Sequence, residues 1–230
     1  AAWQMSKAAV DELGDSVTQG VVITKYNHIK GELPNIKCYE AGHPIPDANS
    51  YLATQEALKL VSDLTQDDEV LFLISGGGSA LFESPLISEE ELQSITEKLL
   101  ASGADIVEMN TIRKRLSAVK GGRFALACAP AKVFSVVLSD IIGDPLDMIA
   151  SGPAYPDSST CEQAFEIIEN YKIPLSMEAK VFLKKETPKV LKNVETHITG
   201  SVKQLCESAQ KEALKLGYKA MYLSASLCCQ

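Results

Sequence analysis

An apolar run that ends in three consecutive glycines is the feature that most constrains this chain. Residues 70–74, Val-Leu-Phe-Leu-Ile, follow Asp67-Asp68-Glu69 and lead directly into Ser75-Gly76-Gly77-Gly78-Ser79. A short apolar run bounded in this way is typical of a strand that is buried on both faces of a parallel sheet. The chain is therefore expected to build such a sheet and to follow one strand with a loop made almost entirely of backbone.

The glycine loop, defined as Ser75 to Ser79, has two interpretations. Glycine lets a ligand approach main-chain N–H groups, and together with the two serine hydroxyls these groups can form a concavity that binds a phosphate or a carboxylate. The glycines can equally serve only to make a tight turn. The loop lacks the Lys-Ser/Thr ending of a P-loop and the spacing of a dinucleotide fingerprint, so neither of those standard sites is predicted.

Further strands and helices alternate along the chain. Apolar runs predict strands at 21–24, 36–41 and 133–138, and helical periodicity predicts helices at 1–13, 48–64, 89–101 and 105–120. Asp47 and Ser88 stand where side-chain caps would begin two of these helices. The alternation predicts an α/β fold with a mostly parallel sheet.

The composition argues against several classes of protein. The formal net charge of −8 argues against general nucleic-acid binding. No uninterrupted apolar run approaches the roughly 20 residues that a membrane span needs. No signal-peptide pattern is present, so a cytoplasmic protein is expected. The six cysteines are scattered without a CxxC pair, and we expect them to be reduced thiols.

A basic segment interrupts this acidic chain. Between Met109 and Ser139 there is no Asp or Glu, whereas six basic residues fall there: Arg113, Lys114, Arg115, Lys120, Arg123 and Lys132. On the predicted helix 105–120, Asn110, Arg113, Lys114 and Lys120 lie on the side opposite an apolar stripe. This side is expected to meet an anionic ligand, and a solvated basic helix face is the alternative.

Polar residues also follow two predicted strands. His43 comes after strand 36–41 in a loop that Pro44 and Pro46 stiffen, either as a functional residue or as an ordinary turn histidine. Strand 133–138 is followed by Asp140 and Asp144. Because ligands bind beyond the carboxyl ends of parallel strands, both aspartates are candidates for coordinating Mg²⁺ or holding a substrate hydroxyl, although single aspartates there are more often caps or turn residues.

Several ordered motifs together resemble one family. They are Glu40-Ala41-Gly42-His43-Pro44, Leu73 to Leu81 with the glycine loop, Asn110-Thr111-Ile112-Arg113-Lys114, Lys120-Gly121-Gly122-Arg123, Leu138-Ser139-Asp140 with Gly143-Asp144, and Ala150-Ser151-Gly152-Pro153. This order resembles the class II glycerate kinases, also called the glycerate 2-kinase family. The resemblance covers the large N-terminal lobe and implies a Rossmann-like, three-layer α/β/α sandwich.

The resemblance also implies a reaction and a set of roles. The family transfers a phosphoryl group from ATP, with Mg²⁺, to a hydroxyl of D-glycerate in a cleft between the large lobe and a second domain. By this resemblance the glycine loop, with His43, Asn110, Ser151 and Gly152 nearby, would hold a phosphate or the glycerate carboxylate. The basic residues Arg113, Lys114 and Lys120 would neutralise the triphosphate or carboxylate, and Asp140 or Asp144 would hold Mg²⁺ or orient the hydroxyl. The resemblance thus makes Arg113, Lys114 and Asp140 the expected catalytic residues.

Two departures from the family pattern lead to an expectation of low activity. The family has a lysine, regarded as catalytic, in a Gly-Lys pair before the Ala-Ala that opens its first helix, and here the numbering starts at Ala1-Ala2. Val202 stands where the family has an asparagine after Gly-Ser. Residues 1–230 are expected to form the large lobe, incomplete at the N-terminus and without the smaller C-terminal domain, and to have little or no kinase activity alone.

Two rival functions follow from the same residues. A non-catalytic module that binds a phosphorylated or carboxylated small molecule would use the same basic helix and glycine loop. A hydroxypyruvate reductase is disfavoured because no GxGxxG follows a strand to hold a nicotinamide dinucleotide. The expected partner is a small-molecule substrate, without nucleic acid or membrane, and a homodimer is left open.

Overall fold

The fold is built on parallel strands, in a computed structural model that describes residues 1–139 and 146–221. In these ranges the strands are β1 (Gly20–Lys25), β2 (Ile36–Ala41), β3 (Glu69–Ile74), β4 (Lys132–Leu138) and β5 (Val194–Gly200). Strands β1 and β2 pair in one sheet, and a second sheet has the order β3-β4-β5. The predicted α/β fold with a mostly parallel sheet is confirmed, with the strands divided between two sheets.

Helices connect and cover the strands. Those in the described ranges are α1 (Ala2–Leu13), α2 (Ala48–Leu60), α3 (Gly78–Leu81), α4 (Glu89–Ala101), α5 (Ile106–Arg115), α6 (Arg123–Ala127), α7 (Cys161–Asn170), α8 (Met177–Leu183) and α9 (Val202–Lys215). Helix α1 contacts both β1 and β3 and so links the two sheets. None of the helices in the described ranges is long and apolar enough to cross a membrane.

The predicted caps are confirmed. The Asp47 carboxylate accepts the main-chain N–H of Ser50 at 3.0 Å, and the Ser50 hydroxyl accepts the main-chain N–H of Asp47. These two bonds form a capping box at the start of α2. Ser88 caps α4 through the N–H of Glu91 at 3.2 Å. The Glu91 carboxylate accepts the N–H of Ser176 and thereby ties α4 to the start of α8.

Helix α5 ends at Arg115, earlier than the predicted limit at residue 120. The chain after it leaves the helix because it pairs with the segment after α3. The N–H of Leu86 donates to the carbonyl of Leu116 at 2.9 Å, and the N–H of Ala118 donates to the carbonyl of Ser84 at 2.8 Å. This pairing places Lys120 directly beneath α3.

Two apolar clusters form most of the core. One joins α4, α5, α7 and α8 through buried residues that include Leu99, Ile112 and Leu183. The other lies beside β3 and β4, where the rings of Phe72, Phe82 and Phe124 pack with centroids 4.7 to 5.5 Å apart. The expectation that β3 is buried on both faces is wrong, since Leu71 is 41% exposed. Within the described ranges β3 pairs only with β4, so it is an edge strand.

Candidate functional site

The glycine loop follows β3 and leads into α3. Ser75 is buried, Gly76 is exposed and Gly77 to Ser79 are partly exposed, so the loop presents its backbone to solvent. Gly77 has φ +88°, a left-handed conformation that glycine adopts readily. The described residues offer no hydrogen-bond acceptor to the main-chain N–H groups of Gly76, Gly77 and Gly78. Exposed N–H groups of this kind are what an anion-binding concavity requires.

His43 lies against this loop. A Cβ built on Gly77 would stand 3.0 Å from Cδ2 and 3.1 Å from Nε2 of the His43 ring. A side chain at residue 77 would therefore displace the imidazole. The structure thus brings together two sequence-predicted candidates that are more than thirty residues apart in the chain.

The turn around Ser151 packs on the other side of the loop. The hydroxyls of Ser79 and Ser151 are 3.1 Å apart, and the Ser151 hydroxyl donates to Oδ1 of Asn110 at 2.9 Å. The Asn110 amide in turn donates to the sulfur of Met148 at 3.4 Å. Candidates from the loop, from α5 and from the Ser-Gly-Pro turn therefore share one hydrogen-bonded chain.

The same turn has an unusual backbone. Ala150, Ser151 and Gly152 all have positive φ, at 53°, 61° and 64°. Positive φ is uncommon for residues other than glycine, and it persists where the surroundings impose it. The carbonyls of Ser151 and Gly152 accept the N–H groups of Gly121 and Gly122, at 3.0 and 2.7 Å. The glycine pair after α5 therefore helps to hold the turn in this conformation.

Two basic candidates support the loop from within the protein. Nη2 of Arg113 donates to the carbonyl of Ser79 at 2.9 Å, and Nζ of Lys120 donates to the same carbonyl at 2.8 Å and to that of Phe82 at 2.9 Å. Lys120 is fully buried, and the Arg113 side chain is 15% exposed. Both lie near the buried carboxylate of Glu83, a residue that sequence reasoning missed.

Lys114 has a different set of partners. Its ammonium lies 3.1 Å from the carboxylate of Asp157 and 3.3 Å from that of Asp147. Asp157 is buried and also pairs with Arg115 at 3.7 Å. Burial alone would raise the pKa of Asp157, but the hydrogen bond from Thr187 and the charge of Lys114 hold it below its usual value. The basic face of α5 is thus neutralised internally by carboxylates from distant parts of the chain.

A cavity of about 370 Å³ opens between α5 and α7. Lys114, Asp147 and Met148 line one side of it, and Glu108 and Glu166 contribute further acidic groups. Met148 links this cavity to the glycine loop, because it contacts Asn110. The sequence candidates therefore divide into a cluster at the loop and one residue, Lys114, that lines the cavity.

The two candidate metal ligands, Asp140 and Asp144, lie outside the described residues. Within residues 1–139 and 146–221, no group of three His, Cys, Asp or Glu side chains is arranged to hold a metal ion.

Two functionally placed acids, Glu83 and Asp157, were missed because they stand outside the recognised motifs. Glu83 follows Leu81-Phe82, and a charged residue in an apolar stretch needs a buried partner. Asp157 follows the Ser-Gly-Pro turn in the polar run Asp157-Ser158-Ser159. That local pattern predicts a turn and gives no sign of the bond to Lys114.

Comparison with known proteins points to one family. A family model described as "Domain of unknown function (DUF4147)" matches residues 1–184. The chain is 52% identical over its whole length to D-glycerate 2-kinase of Thermotoga maritima, and it covers 56% of that protein. It is 43% identical over 99% of its length to glycerate 2-kinase of Pyrococcus horikoshii, covering 53%. A putative hydroxypyruvate reductase of Agrobacterium vitis is 39% identical to the chain over 96% of the chain's length, and the chain covers 51% of that protein.

A solved structure agrees with these relatives. The crystal structure of glycerate kinase from Thermotoga maritima superposes with a TM-score of 0.91 at 52% identity, covering 96% of this chain and 54% of that one. The chain therefore spans about half the length of the curated relatives that it matches.

Proposed function

This chain belongs to the class II glycerate kinase (glycerate 2-kinase) family, whose N-terminal part it matches, and we propose that it takes part in phosphoryl transfer from ATP to a hydroxyl of D-glycerate. Because the chain spans about half the length of these relatives, the activity of the whole enzymes is applied to it only as a proposal.

The observation that carries the proposal is that His43 packs against Gly77 and that the hydroxyls of Ser79 and Ser151 meet, both at a glycine loop whose backbone is open to solvent. Phosphoryl transfer depends on positioning and on stabilising negative charge, with little covalent chemistry for the protein. Preorganised N–H donors and hydroxyls can hold the carboxylate of glycerate or a phosphate of the nucleotide. Which of the two anions binds here is left to experiment.

The proposed roles of the basic residues follow from their partners. Arg113 and Lys120 each donate to the carbonyl of Ser79 and lie beside Glu83, so we assign both to shaping the loop, and Arg113, which is farther from Glu83, also to adding positive potential behind it. Lys114, expected from the sequence to be catalytic, is buried between Asp157 and Asp147. We propose that it acts by holding α5, which carries Asn110, against the Ser-Gly-Pro turn.

Magnesium dependence is part of the proposal. Mg²⁺ is commonly bound by one or two carboxylates together with substrate phosphates, so a cluster of three protein ligands is not required. Asp140 and Asp144 remain the proposed ligands. When bound, the ion would neutralise the charge of the phosphates being cleaved.

The other expectations stay predictions. These are the cytoplasmic location, a homodimer, a single incomplete lobe over residues 1–230, and low activity of this chain alone. The non-catalytic binding module is not favoured, because the relatives' names are those of enzymes. Reduction of hydroxypyruvate is included in the test because two relatives are named putative hydroxypyruvate reductases.

The test is a coupled assay of ADP release with ATP, Mg²⁺ and D-glycerate, run on this chain and on a chain extended at both ends. The expected result is ADP release that requires D-glycerate and an extended chain. Oxidation of NADH by hydroxypyruvate, followed in parallel, should be absent. An extended chain that binds ATP yet phosphorylates neither D-glycerate nor a related hydroxy acid would show the kinase assignment to be wrong.

A further inference from the structure

A buried carboxylate lies directly behind the glycine loop. Glu83 follows α3, and its side chain is fully buried. Its Oε2 atom lies 3.3 Å from Nζ of Lys120 and 3.9 Å from Nη2 of Arg113. Within residues 1–139 and 146–221 this Oε2 atom has no hydrogen-bond partner, and the two positive charges are what offset its burial there.

The position of this carboxylate is fixed from several directions. The Glu83 N–H donates to the hydroxyl of Thr54 on α2 at 3.1 Å, and Oε1 of Glu83 accepts the N–H of Ser84 at 3.0 Å. The hydroxyl of Ser84 accepts the amide of Gln55 at 2.7 Å, and its carbonyl accepts the N–H of Ala118. The acid is thus held on a segment that cannot shift without breaking contacts to α2 and to the chain after α5.

Two positive charges meet at one carbonyl in front of Glu83. Arg113 and Lys120 both donate to the oxygen of Ser79, at 2.9 and 2.8 Å. Helix α3 is a single turn and cannot satisfy its own carbonyl groups, so cations at Ser79 and Phe82 supply the missing donors. Like charges this close repel each other, and the repulsion is strong where water is excluded.

Glu83 offsets that repulsion. Burial, assisted by the charge of Arg113, lowers the pKa of Lys120 to about 8, while the charge of Glu83 acts in the opposite direction. Among the described residues, Tyr51 of α2 also interacts with Glu83, and its pKa is raised to about 12 by burial and by nearby carboxylates, so it stays neutral below that pH. Without Glu83, Lys120 would lose its proton at a lower pH.

We propose that Glu83 is a positioning residue for the glycine loop: it neutralises the buried charges of Lys120 and Arg113, so that both can hold the Ser79 carbonyl and aim the loop's N–H groups and the Ser79 hydroxyl outward. Glu83 itself touches no ligand. The relevance of the loop to D-glycerate or ATP rests on the proposed function, but the coupling of Glu83 to loop order does not.

The test measures loop order without a ligand. Hydrogen exchange of the peptide that contains Ala80 to Phe82, whose N–H groups donate to the carbonyls of Gly77 and Gly78, is followed by mass spectrometry between pH 6 and 9, with rates normalised to the intrinsic rate at each pH. In the wild-type chain, protection should stay constant below about pH 8 and show a step upward above it, because the ordered loop holds the pKa of Lys120 at about 8, below the ordinary 10.5. In Glu83→Gln, protection at pH 7 should be at least tenfold lower and the step should move down by at least one pH unit.

Three further variants make the outcome decisive. Glu83→Asp keeps the charge and should retain most of the protection, whereas Glu90→Gln, an exposed acid on α4, should match the wild type. Lys120→Met should lose protection at every pH and show no step. If Glu83→Gln does not fold, the result for Lys120→Met tests the proposal in its place. Wild-type protection and an unmoved step in Glu83→Gln, or wild-type protection in Lys120→Met, would overturn the proposal.

Binding to the same variants separates the two proposals. Calorimetric titration with D-glycerate and with ATP·Mg²⁺ should show at least tenfold weaker binding of one ligand to Glu83→Gln. If the wild-type chain, alone and extended, binds neither ligand, the proposed function fails. The exchange data would still decide whether Glu83 positions the loop.

Discussion

Asp157 should be among the most costly acidic residues to replace, because it neutralises two buried cations at once. Its carboxylate accepts the Thr187 hydroxyl at 2.7 Å, the Lys114 ammonium at 3.1 Å, and both the N–H and the hydroxyl of Ser159 at 2.9 to 3.0 Å. Arg115 lies 3.7 Å away. Because hydrogen-bond donors surround the carboxylate, an amide in its place would have to point its own N–H group at another donor.

The perturbation is Asp157→Asn, and its expected cost follows from burial. Removing one partner of a buried ion pair costs about 3–5 kcal/mol, because the remaining charge stays in a low-dielectric environment. Lys114 keeps Asp147 and Arg115 keeps Glu186, at 3.3 Å each, so the lower end of the range applies. We expect a loss of about 3 kcal/mol in the free energy of unfolding, measured by urea denaturation.

Asp147→Asn is the matched control. Asp147 contacts the same ammonium at 3.3 Å, but its side chain is 19% exposed whereas that of Asp157 is fully buried. Water can replace much of what the Asp147 charge supplies, so its loss should cost about 1 kcal/mol or less. The comparison therefore measures what full burial and the additional donors of Asp157 contribute, since the substitution and the Lys114 ammonium are the same.

The pH dependence gives a second readout of the same carboxylate. The pKa of Asp157 in the folded chain lies below its ordinary value of 3.8, so its ionised form stabilises the fold fully above that value. This contribution declines as the pH falls through the lower, folded pKa. The gap in stability between the wild type and Asp157→Asn should therefore be widest near neutral pH and narrow below about pH 4. Equal losses for Asp157→Asn and Asp147→Asn, or a gap that does not change with pH, would refute the reasoning.

Two further predictions concern the glycine loop and the lysine behind it. In Gly78→Ala, the new Cβ would lie 2.7 Å from Cβ of Ala150, so the loop and the Ser151 turn must separate. We expect D-glycerate or ATP to bind at least tenfold more weakly to this variant, measured by calorimetry. Gly20→Ala is the control, since its Cβ meets only the flexible Ile36 side chain at 3.2 Å, and equal binding by the two variants would contradict the prediction. The pKa of Lys120 in the folded chain, about 8, lies below the ordinary 10.5. Between these two pH values Lys120 is protonated mainly in the unfolded chain, so the free energy of unfolding should rise with pH. Lys120→Met should remove this rise in denaturation experiments from pH 8 to 10, and an unchanged slope would show that Lys120 is not its source.

The local elements of the fold could be predicted from the sequence because local rules determine them. Strand β3, the cap at Asp47 and the cap at Ser88 all depend on residues within a few positions of each other. The end of α5 could not be predicted in the same way. The helical pattern continues past Arg115, but pairing with the segment around Ser84 competes with the helix, and those partners are about thirty residues away.

The residues proposed for the site stay a prediction, but the structure brings several of them together. His43, the glycine loop, Asn110 and Ser151 lie in one cluster, because each follows or begins an element whose position the fold fixes. The environment of the basic residues was not visible in the sequence. A stretch without acids on α5 suggested free positive charge, yet Glu83 and Asp157 reach it from other segments of the chain.

This internal neutralisation changes what the basic residues can contribute to an anion site. A fully exposed lysine would offer a whole charge to a ligand, but one that is buried beside a carboxylate mainly offers geometry, since the two opposite charges largely cancel at a distance. Lys120 therefore matters through the two carbonyls that it orients, at Ser79 and Phe82. The net attraction for an anion must then come from the loop's N–H dipoles and from Arg113, whose ion-pair distance to Glu83, 3.9 Å, is longer than that of Lys120 at 3.3 Å. On this reasoning Arg113→Ala should weaken anion binding more than it weakens the fold, and Lys120→Met should affect both.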